Sequence, residues 1–306
     1  MMTRYLISRI VQAVPTLIGV SMIAFVAMRA LGDPAGLVLG DAATPQAIAQ
    51  YRHEQGLDQP LHIQYFNFIG KALQGDLGYS YRYRSPVFPL LLERVPATLT
   101  LGLAALGLAI AVGVPAGTFA ALRRGRRSDA VIRLFALVGQ AIPGFFLGLL
   151  LIIVFAVQLR WLPTGGSGDW RHLVMPSVSL GGMLMAIIVR FTRSSLLDTL
   201  AQDYMRTARS KGLEERIVIV RHAFRNVLIP LVTVIALQTS VIFSGAVVTE
   251  TIFGWPGVGR LAVEAVQGRD FPLLQAIVLF ISAAVVFVNL CVDLSYAFLD
   301  PRVRFQ

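Results

Sequence analysis

Between Ala97 and Leu122 the chain runs twenty-six residues without a charged side chain, and it does so again between Leu134 and Leu159. A bilayer core of about 30 Å is crossed by roughly 20 apolar residues in an α-helix, so each run is long enough to span. Four more stretches are of this kind: Ile10–Met28 with nineteen residues, Leu173–Val189 with seventeen, Asn226–Thr249 with twenty-four and Phe271–Val292 with twenty-two. Six helices place both termini on one side of the membrane. The composition agrees, because 56% of residues are hydrophobic and only 14% charged, against about 25% charged in soluble proteins. The first stretch exceeds the 7–15-residue core of a signal peptide. Ala27-Met28-Arg29-Ala30 is also a poor cleavage site, which favours a retained helix.

The arginines orient the helices. The net charge of +10 rests on 27 basic and 17 acidic residues, and the basic ones crowd into alternate loops. Arg4 and Arg9 precede the first stretch, Arg123, Arg124, Arg126 and Arg127 follow the second, and Arg302 and Arg304 follow the sixth. Between Arg190 and Arg225 lie eight basic and four acidic residues. The loops after the third and fifth stretches are nearly balanced, with Arg160 and Arg171 against Asp169 in the first of them. Positively charged loops stay cytoplasmic, so both termini and the segment around 191–229 are expected inside. The chain then divides into an N-terminal helix (1–28), an external segment (29–96), a five-helix core (97–297) containing the cytoplasmic segment 191–229, and a tail (298–306).

Two connecting segments are too long to be simple turns. Residues 29–96 carry six basic and six acidic residues and an aromatic cluster at Tyr65, Phe66, Phe68, Tyr79, Tyr81 and Tyr83. They are expected to fold as a small cap, serving as a packed lid or as a docking surface. The segment 190–230 shows helical periodicity on both sides of Gly212, with its charge turned away from the apolar stripe. A helical hairpin resting on the membrane surface and a docking element for a cytoplasmic protein both fit that pattern.

Chemistry of bond making is not indicated. The only lysines are Lys71 and Lys211, followed by Ala72 and Gly212, so no phosphate-binding G-x-x-x-x-G-K-[ST] loop exists. His53, His62, His172 and His222 form no metal-ligand spacing, and Cys291 is a lone residue in an apolar run. No catalytic, cofactor or metal residue is therefore assigned. Ionisable residues within the stretches are confined to their ends, as with Arg133, Asp293 and Asp300, which argues against a self-powered ion-coupled carrier. Asn289 and Asp293 share a helical face at i, i+4 and read as a packing pair.

An ordered series of short motifs then carries a resemblance along nearly the whole chain. It includes Arg4-Tyr5-Leu6, Gly32-Asp33-Pro34, Leu57-Asp58-Gln59-Pro60-Leu61, Gly75-Asp76-Leu77-Gly78, Pro96-Ala97-Thr98-Leu99 and Arg160-Trp161-Leu162-Pro163. It continues through Arg190-Phe191-Thr192-Arg193-Ser194-Ser195-Leu196, the run Asp203 to Leu213, Arg221 to Asn226, Trp255-Pro256-Gly257 and Asp300-Pro301-Arg302. The chain resembles the membrane permease subunit of a bacterial ATP-binding-cassette importer, in the dipeptide/oligopeptide/nickel branch. The resemblance implies the type I importer permease fold and a solute pathway operated by alternating access. The implied partners are a second permease, two ATP-binding subunits that hold ATP and Mg, and an external solute-binding protein. The permease itself holds no cofactor.

Site residues follow from that resemblance. Asp203, Tyr204, Met205, Arg206, Thr207, Ala208, Arg209, Lys211, Gly212 and Leu213 align with the loop whose short coupling helix docks in the ATPase. There Met205, Ala208 and Leu213 are expected to supply apolar contact. Arg206-Thr207-Ala208 stands where the general pattern has Glu-Ala-Ala, which leaves open whether Asp203, Glu214 or Glu215 joins the contact. Polar side chains on apolar helices nominate Gln140, Thr233, Gln238, Ser240 and Ser244 for the pathway, with helix packing as the plainer role of the small ones. Pro143 and Gly144 are expected to bend the third helix. Glu250, Trp255 and Arg260 are candidates for docking the binding protein, with an interfacial anchor as the alternative for Trp255.

The expected solutes are dipeptides, oligopeptides or related compounds, with glutathione, a nickel chelate or an opine as alternatives. A stand-alone secondary transporter or channel is the competing class, and no inverted repeat supports it.

Overall fold

The computed structural model describes residues 2–30, 35–36, 44–54 and 56–299, with side chains described except at 2–10, 28, 30, 240–244 and 292–299. The described chain is almost entirely helical. In order, it forms α1 (Met2–Ala30), α2 (Pro45–Glu54), α3 (Leu61–Leu73), β1 (Tyr79–Ser80), β2 (Ser85–Pro86), α4 (Val87–Leu122) and α5 (Arg127–Ala141). Then come α6 (Gly144–Leu151) with a π-helical continuation Ile152–Gln158, α7 (Trp170–Leu200) and α8 (Asp203–Ser210). Next is α9 (Glu215–Ile217), which runs through a π-helical turn Val218–Ala223 into α10 (Phe224–Ile252), followed by α11 (Val258–Gln267) and α12 (Phe271–Leu299).

Each of the six expected apolar stretches is helical. Four helices are long and apolar enough to cross a membrane, or five when a bent pair counts as one span; in α1 the described apolar part is Val11–Ala27. The third stretch departs from a single straight helix. Its two halves, α5 and α6, meet at 105°. Proline has no amide proton to donate and its ring disfavours helical geometry in the residue before it. Accordingly Ile142 is extended at φ −80°, ψ 121°, and a new helix starts after Pro143. The bend expected at Pro143-Gly144 is therefore a full break.

The chain folds as two compact units, Met1–Pro96 with Gly257–Leu290, and Ala97–Pro256 with Cys291–Gln306. In the first unit the segment that follows α1 is built on aromatic and polar contacts. Phe25 of α1 meets Tyr65 edge-on at 5.6 Å and stacks near Phe68, while the Ser21 and Tyr65 hydroxyls lie 2.7 Å apart. Val87 and Leu91 pack with Leu261 and Ala265 of α11 and with Leu273 and Ile277 of α12. Phe66 and Tyr79, from the same aromatic group, stay exposed.

Asp270 joins the β1–β2 turn to α12. It is fully buried, and its carboxylate accepts hydrogen bonds from Ser80 Oγ, from the Arg82 amide at 3.1 Å and from the Leu273 amide at 3.3 Å. The last bond caps the first turn of α12, which would otherwise leave amides unpaired. Asp270→Ala strands these donors, and an unmet buried donor costs about 1–3 kcal/mol. The variant is expected to melt several degrees lower in detergent. An unchanged melting temperature would show that water replaces the carboxylate without cost.

The second unit is centred on α7, whose inner face is buried along its length from Met175 to Leu196. Small residues let neighbouring backbones come close. A Cβ added at Gly117 of α4 would sit 2.6 Å from the Val189 carbonyl oxygen, and one at Gly181 of α7 would sit 2.7 Å from that of Ala105. Close approach through small residues is the usual packing mode for helices in lipid.

Candidate functional site

The charged segment after α7 is a folded element. Helix α7 continues eleven residues past Val189, and after a short turn α8 runs Asp203–Ser210. At three- and four-residue spacing Met205 and Ala208 fall on one face. That face is buried on the protein's own core of Ala121, Leu196, Val218, Ala223 and Val227. Met205 and Ala208 are thus packing residues of this chain, where they had been expected to supply apolar contact to a partner. The outward face presents Tyr204, Arg206, Thr207, Lys211 and Leu213, all exposed.

The turn after α8 requires glycine. Gly212 has φ +75°, which side-chain-bearing residues adopt only with strain. Its amide donates to the Arg209 carbonyl at 2.9 Å, closing the helix end. Across this turn Arg209 forms a two-pronged pair with Glu215, at 3.1 and 2.9 Å. The Asn226 amide nitrogen donates to the Tyr204 hydroxyl at 2.7 Å, fastening α8 to α10. Of the three acidic candidates, Glu215 is engaged within the chain, whereas the Asp203 side chain is 97% exposed and only 3.8 Å pairs it with Arg206. Lys211 makes no ion pair among the described residues.

A buried ion pair ties the start of α5 to α7, and sequence reasoning passed over it. The Asp129 side chain is 1% exposed. It receives Arg193 Nε at 2.7 Å and Nη2 at 2.9 Å, the Gly125 amide at 3.0 Å, and Arg133 at 3.3 Å. This cluster fixes the arginine-rich turn after α4 and the start of α5 to α7. The signal was present as the only acid in a run of five arginines from Arg123 to Arg133, but its partner is sixty-four residues away.

The pathway candidates do not converge on one place. Gln238 lines a cavity of about 240 Å³ with Gly144, Phe145, Ser179, Met183 and Thr249. The broken helix makes part of this wall, since α6 begins at Gly144. Ser179 Oγ donates to the Gly144 carbonyl at 2.8 Å and Thr249 Oγ1 to the Gly245 carbonyl at 3.3 Å, so both hydroxyl protons are used. The Gln238 side-chain amide makes no hydrogen bond among the described residues. Gln140, in contrast, accepts a hydrogen bond from Arg190 Nη1 and does not line this cavity. Thr233 donates to the Ile229 carbonyl at 3.1 Å on its own helix. The Ser240 and Ser244 side chains lie outside the described residues.

The three docking candidates are placed differently. Glu250 is fully buried; its carboxylate accepts from Thr98 Oγ1 at 2.7 Å and its carbonyl from the Trp255 amide at 2.8 Å. Trp255 is buried as well, and its indole nitrogen donates to the Ala97 carbonyl at 2.8 Å. Both hold the loop after α10 in place from within. Arg260 is partly exposed and pairs with Glu264 one turn along α11 at 2.9 Å.

In the second unit, membrane-length helices pack around α7, and a short amphipathic helix rests its apolar face on their core, as expected of a transport permease. The fold is that of type I importer permeases. It is similar to an inward-facing structure of the MetNI methionine ABC transporter, with a TM-score of 0.59 and 16% identity over 69% of this chain and 96% of that one. Residues 113–305 match the family described as binding-protein-dependent transport system inner membrane component, and residues 2–102 match its N-terminal counterpart. The chain belongs to this family and is a multi-pass permease subunit of an ABC importer. Among curated relatives, the glutathione transport system permease protein GsiC of Escherichia coli O6:H1 is 43% identical over 306 residues, the full length of both chains. The proteins of that name from Escherichia coli K12 and Salmonella choleraesuis are each 42% identical over the same span.

Proposed function

We propose that this permease conducts glutathione or short peptides inward through the cavity beside Gln238, driven by ATPases that grip α8. The 43% identity over the full length of a glutathione permease carries the substrate reading. The mechanical reading is supported by α8, whose apolar face is anchored in the chain while its cationic face is open. A force applied there passes through Met205 and Ala208 to Leu196, Val218 and Val227, which belong to α7, the π-helical turn and α10. Movement of such packed elements between two discrete arrangements is how alternating access is achieved.

In this reading a second permease completes the pathway, two ATP-binding subunits hydrolyse ATP, and a soluble protein delivers the solute. The arginine-rich turns and both termini face the cytoplasm. The boundaries at 28, 96 and 297 then mark where the chain passes between compartments. Arg260 is the docking candidate with an accessible side chain; Glu250 and Trp255 shape the loop without touching a partner.

An unsatisfied amide facing lipid is costly, whereas one facing a wet passage exchanges hydrogen bonds with whatever passes. Gln238→Leu is therefore expected to slow glutathione uptake about tenfold in cells whose own glutathione importer is deleted, with unchanged protein in the membrane. Uptake at the unaltered rate would remove Gln238 from the pathway. If the unaltered protein restores uptake of dipeptides and not of glutathione, the substrate reading moves to the peptide alternative.

A further inference from the structure

The turn between α4 and α5 gathers four arginines, Arg123, Arg124, Arg126 and Arg127, all of them exposed. It is an ordered turn. The Arg123 amide donates to the Phe119 carbonyl at 3.0 Å, and the Arg126 amide to the Arg123 carbonyl at the same distance. Gly125 takes φ +80°, which side-chain-bearing residues adopt only with strain. Its amide donates to the Asp129 carboxylate at 3.0 Å. That bond fixes the reversal of the chain, and with it the place from which the four arginines project.

Their charge is not balanced within the chain. Asp129 is the one acid between Phe119 and Phe135. It is buried, and its ion pairs are made with Arg193 and Arg133. None of the four turn arginines makes an ion pair among the described residues.

The turn also stands at the edge of apolar surface. Phe119 and Leu122 at the end of α4 are exposed, and so are Val131, Leu134 and Phe135 in α5. The Arg123 guanidinium lies over the Phe119 ring, 5.4 Å from its centre. Apolar side chains at the end of a membrane-length helix suit lipid tails. A guanidinium laid across one of them stands where the headgroups begin.

We propose that this turn docks anionic phospholipid headgroups, with its four arginines taking the lipid phosphates. Guanidinium groups make paired, charge-assisted hydrogen bonds to phosphate oxygens. A basic cluster beside a membrane helix draws anionic lipid, by about fivefold for each arginine near the surface. An acidic protein face would meet the same charge, but the exposed apolar side chains on both flanks favour lipid. Orienting the helices needs only the number of charges, whereas the bond from Gly125 to Asp129 holds them at one place beside the apolar edge. The site is independent of which solute the permease imports.

The test uses the purified permease with its associated subunits in phosphatidylcholine nanodiscs. These contain a minor fraction of phosphatidylglycerol carrying a photoreactive group near its headgroup, and cross-links are mapped by peptide mass spectrometry. The segment 119–135 is expected to cross-link at least fivefold more than with a phosphatidylcholine probe of the same design. Exposed charges are screened by salt, so the excess should shrink as salt is raised, a result that needs no substitution. Gln at Arg124, Arg126 and Arg127 together is expected to bring the yield down to that of the phosphatidylcholine probe, with an unchanged melting temperature. Lys at the same three positions should retain it. Equal labelling by the two probes, or a yield indifferent to salt and to the three Gln changes, would overturn the proposal. Loss of the co-purified ATPase with undiminished phosphatidylglycerol labelling would overturn it too, and would assign the turn to a protein contact.

Discussion

Glutamate at both Arg206 and Lys211 is expected to abolish solute uptake, by at least tenfold, while leaving the protein folded and in the membrane. Both side chains are exposed, so their replacement disturbs no packing of this chain. The pair of changes moves the outward face of α8 by four charge units. If that face docks on acidic groups of an ATPase, attraction becomes repulsion, and like charges brought together at an interface cost several kcal/mol. The measurement is uptake alongside membrane content and ATPase co-purification. Loss of uptake together with loss of the co-purified ATPase supports the coupling role; full uptake by the double variant would sink it. Gly212→Pro is a companion change of another kind. Proline fixes φ near −65° and has no amide proton, yet the turn uses φ +75° and a 2.9 Å bond from the Gly212 amide.

The second large effect is expected at Asp129. Asp129→Ala leaves the Arg193 guanidinium, 20% exposed, without its two-pronged partner and strips the Gly125 amide of its acceptor. Breaking a buried pair by removing one partner costs about 3–5 kcal/mol, and the partial exposure of Arg193 places this case near the lower figure. The variant should therefore melt well below the unaltered protein in detergent and accumulate poorly in the membrane. Asp129→Ala combined with Arg193→Leu removes both charges and should recover much of the loss. If the single change were harmless, the cluster would not be what fixes α5 to α7.

Much of this architecture could be read from the chain before any coordinates. Uncharged runs such as Ala97–Leu122 permit little except a membrane helix, since an apolar run of that length satisfies its backbone polar groups in lipid only by hydrogen bonding within itself. Pro143 marked the bend in the third stretch because its missing amide proton and ring act locally. Gly212 marked a helix end for an equally local reason. The periodicity of 203–210 predicted one apolar and one charged face.

The sequence by itself determined the membrane class, the helical stretches, the charge asymmetry of the loops and the family, all of which depend on residues near one another or on ordered motifs. Tertiary structure alone decided what each face meets. An apolar stripe says that something covers it, and only the folded chain shows Met205 and Ala208 covered by Leu196 and Val218 and not left open to a partner. Glu250 and Trp255 read as surface groups until Thr98 and Ala97, over 150 residues earlier in the chain, were seen to bury and satisfy them. Asp129 and Arg193, and likewise Gln140 and Arg190, are joined across fifty residues or more. Hydrogen bonds and ion pairs of that reach depend on which helices pack side by side, and no local pattern of residues encodes it.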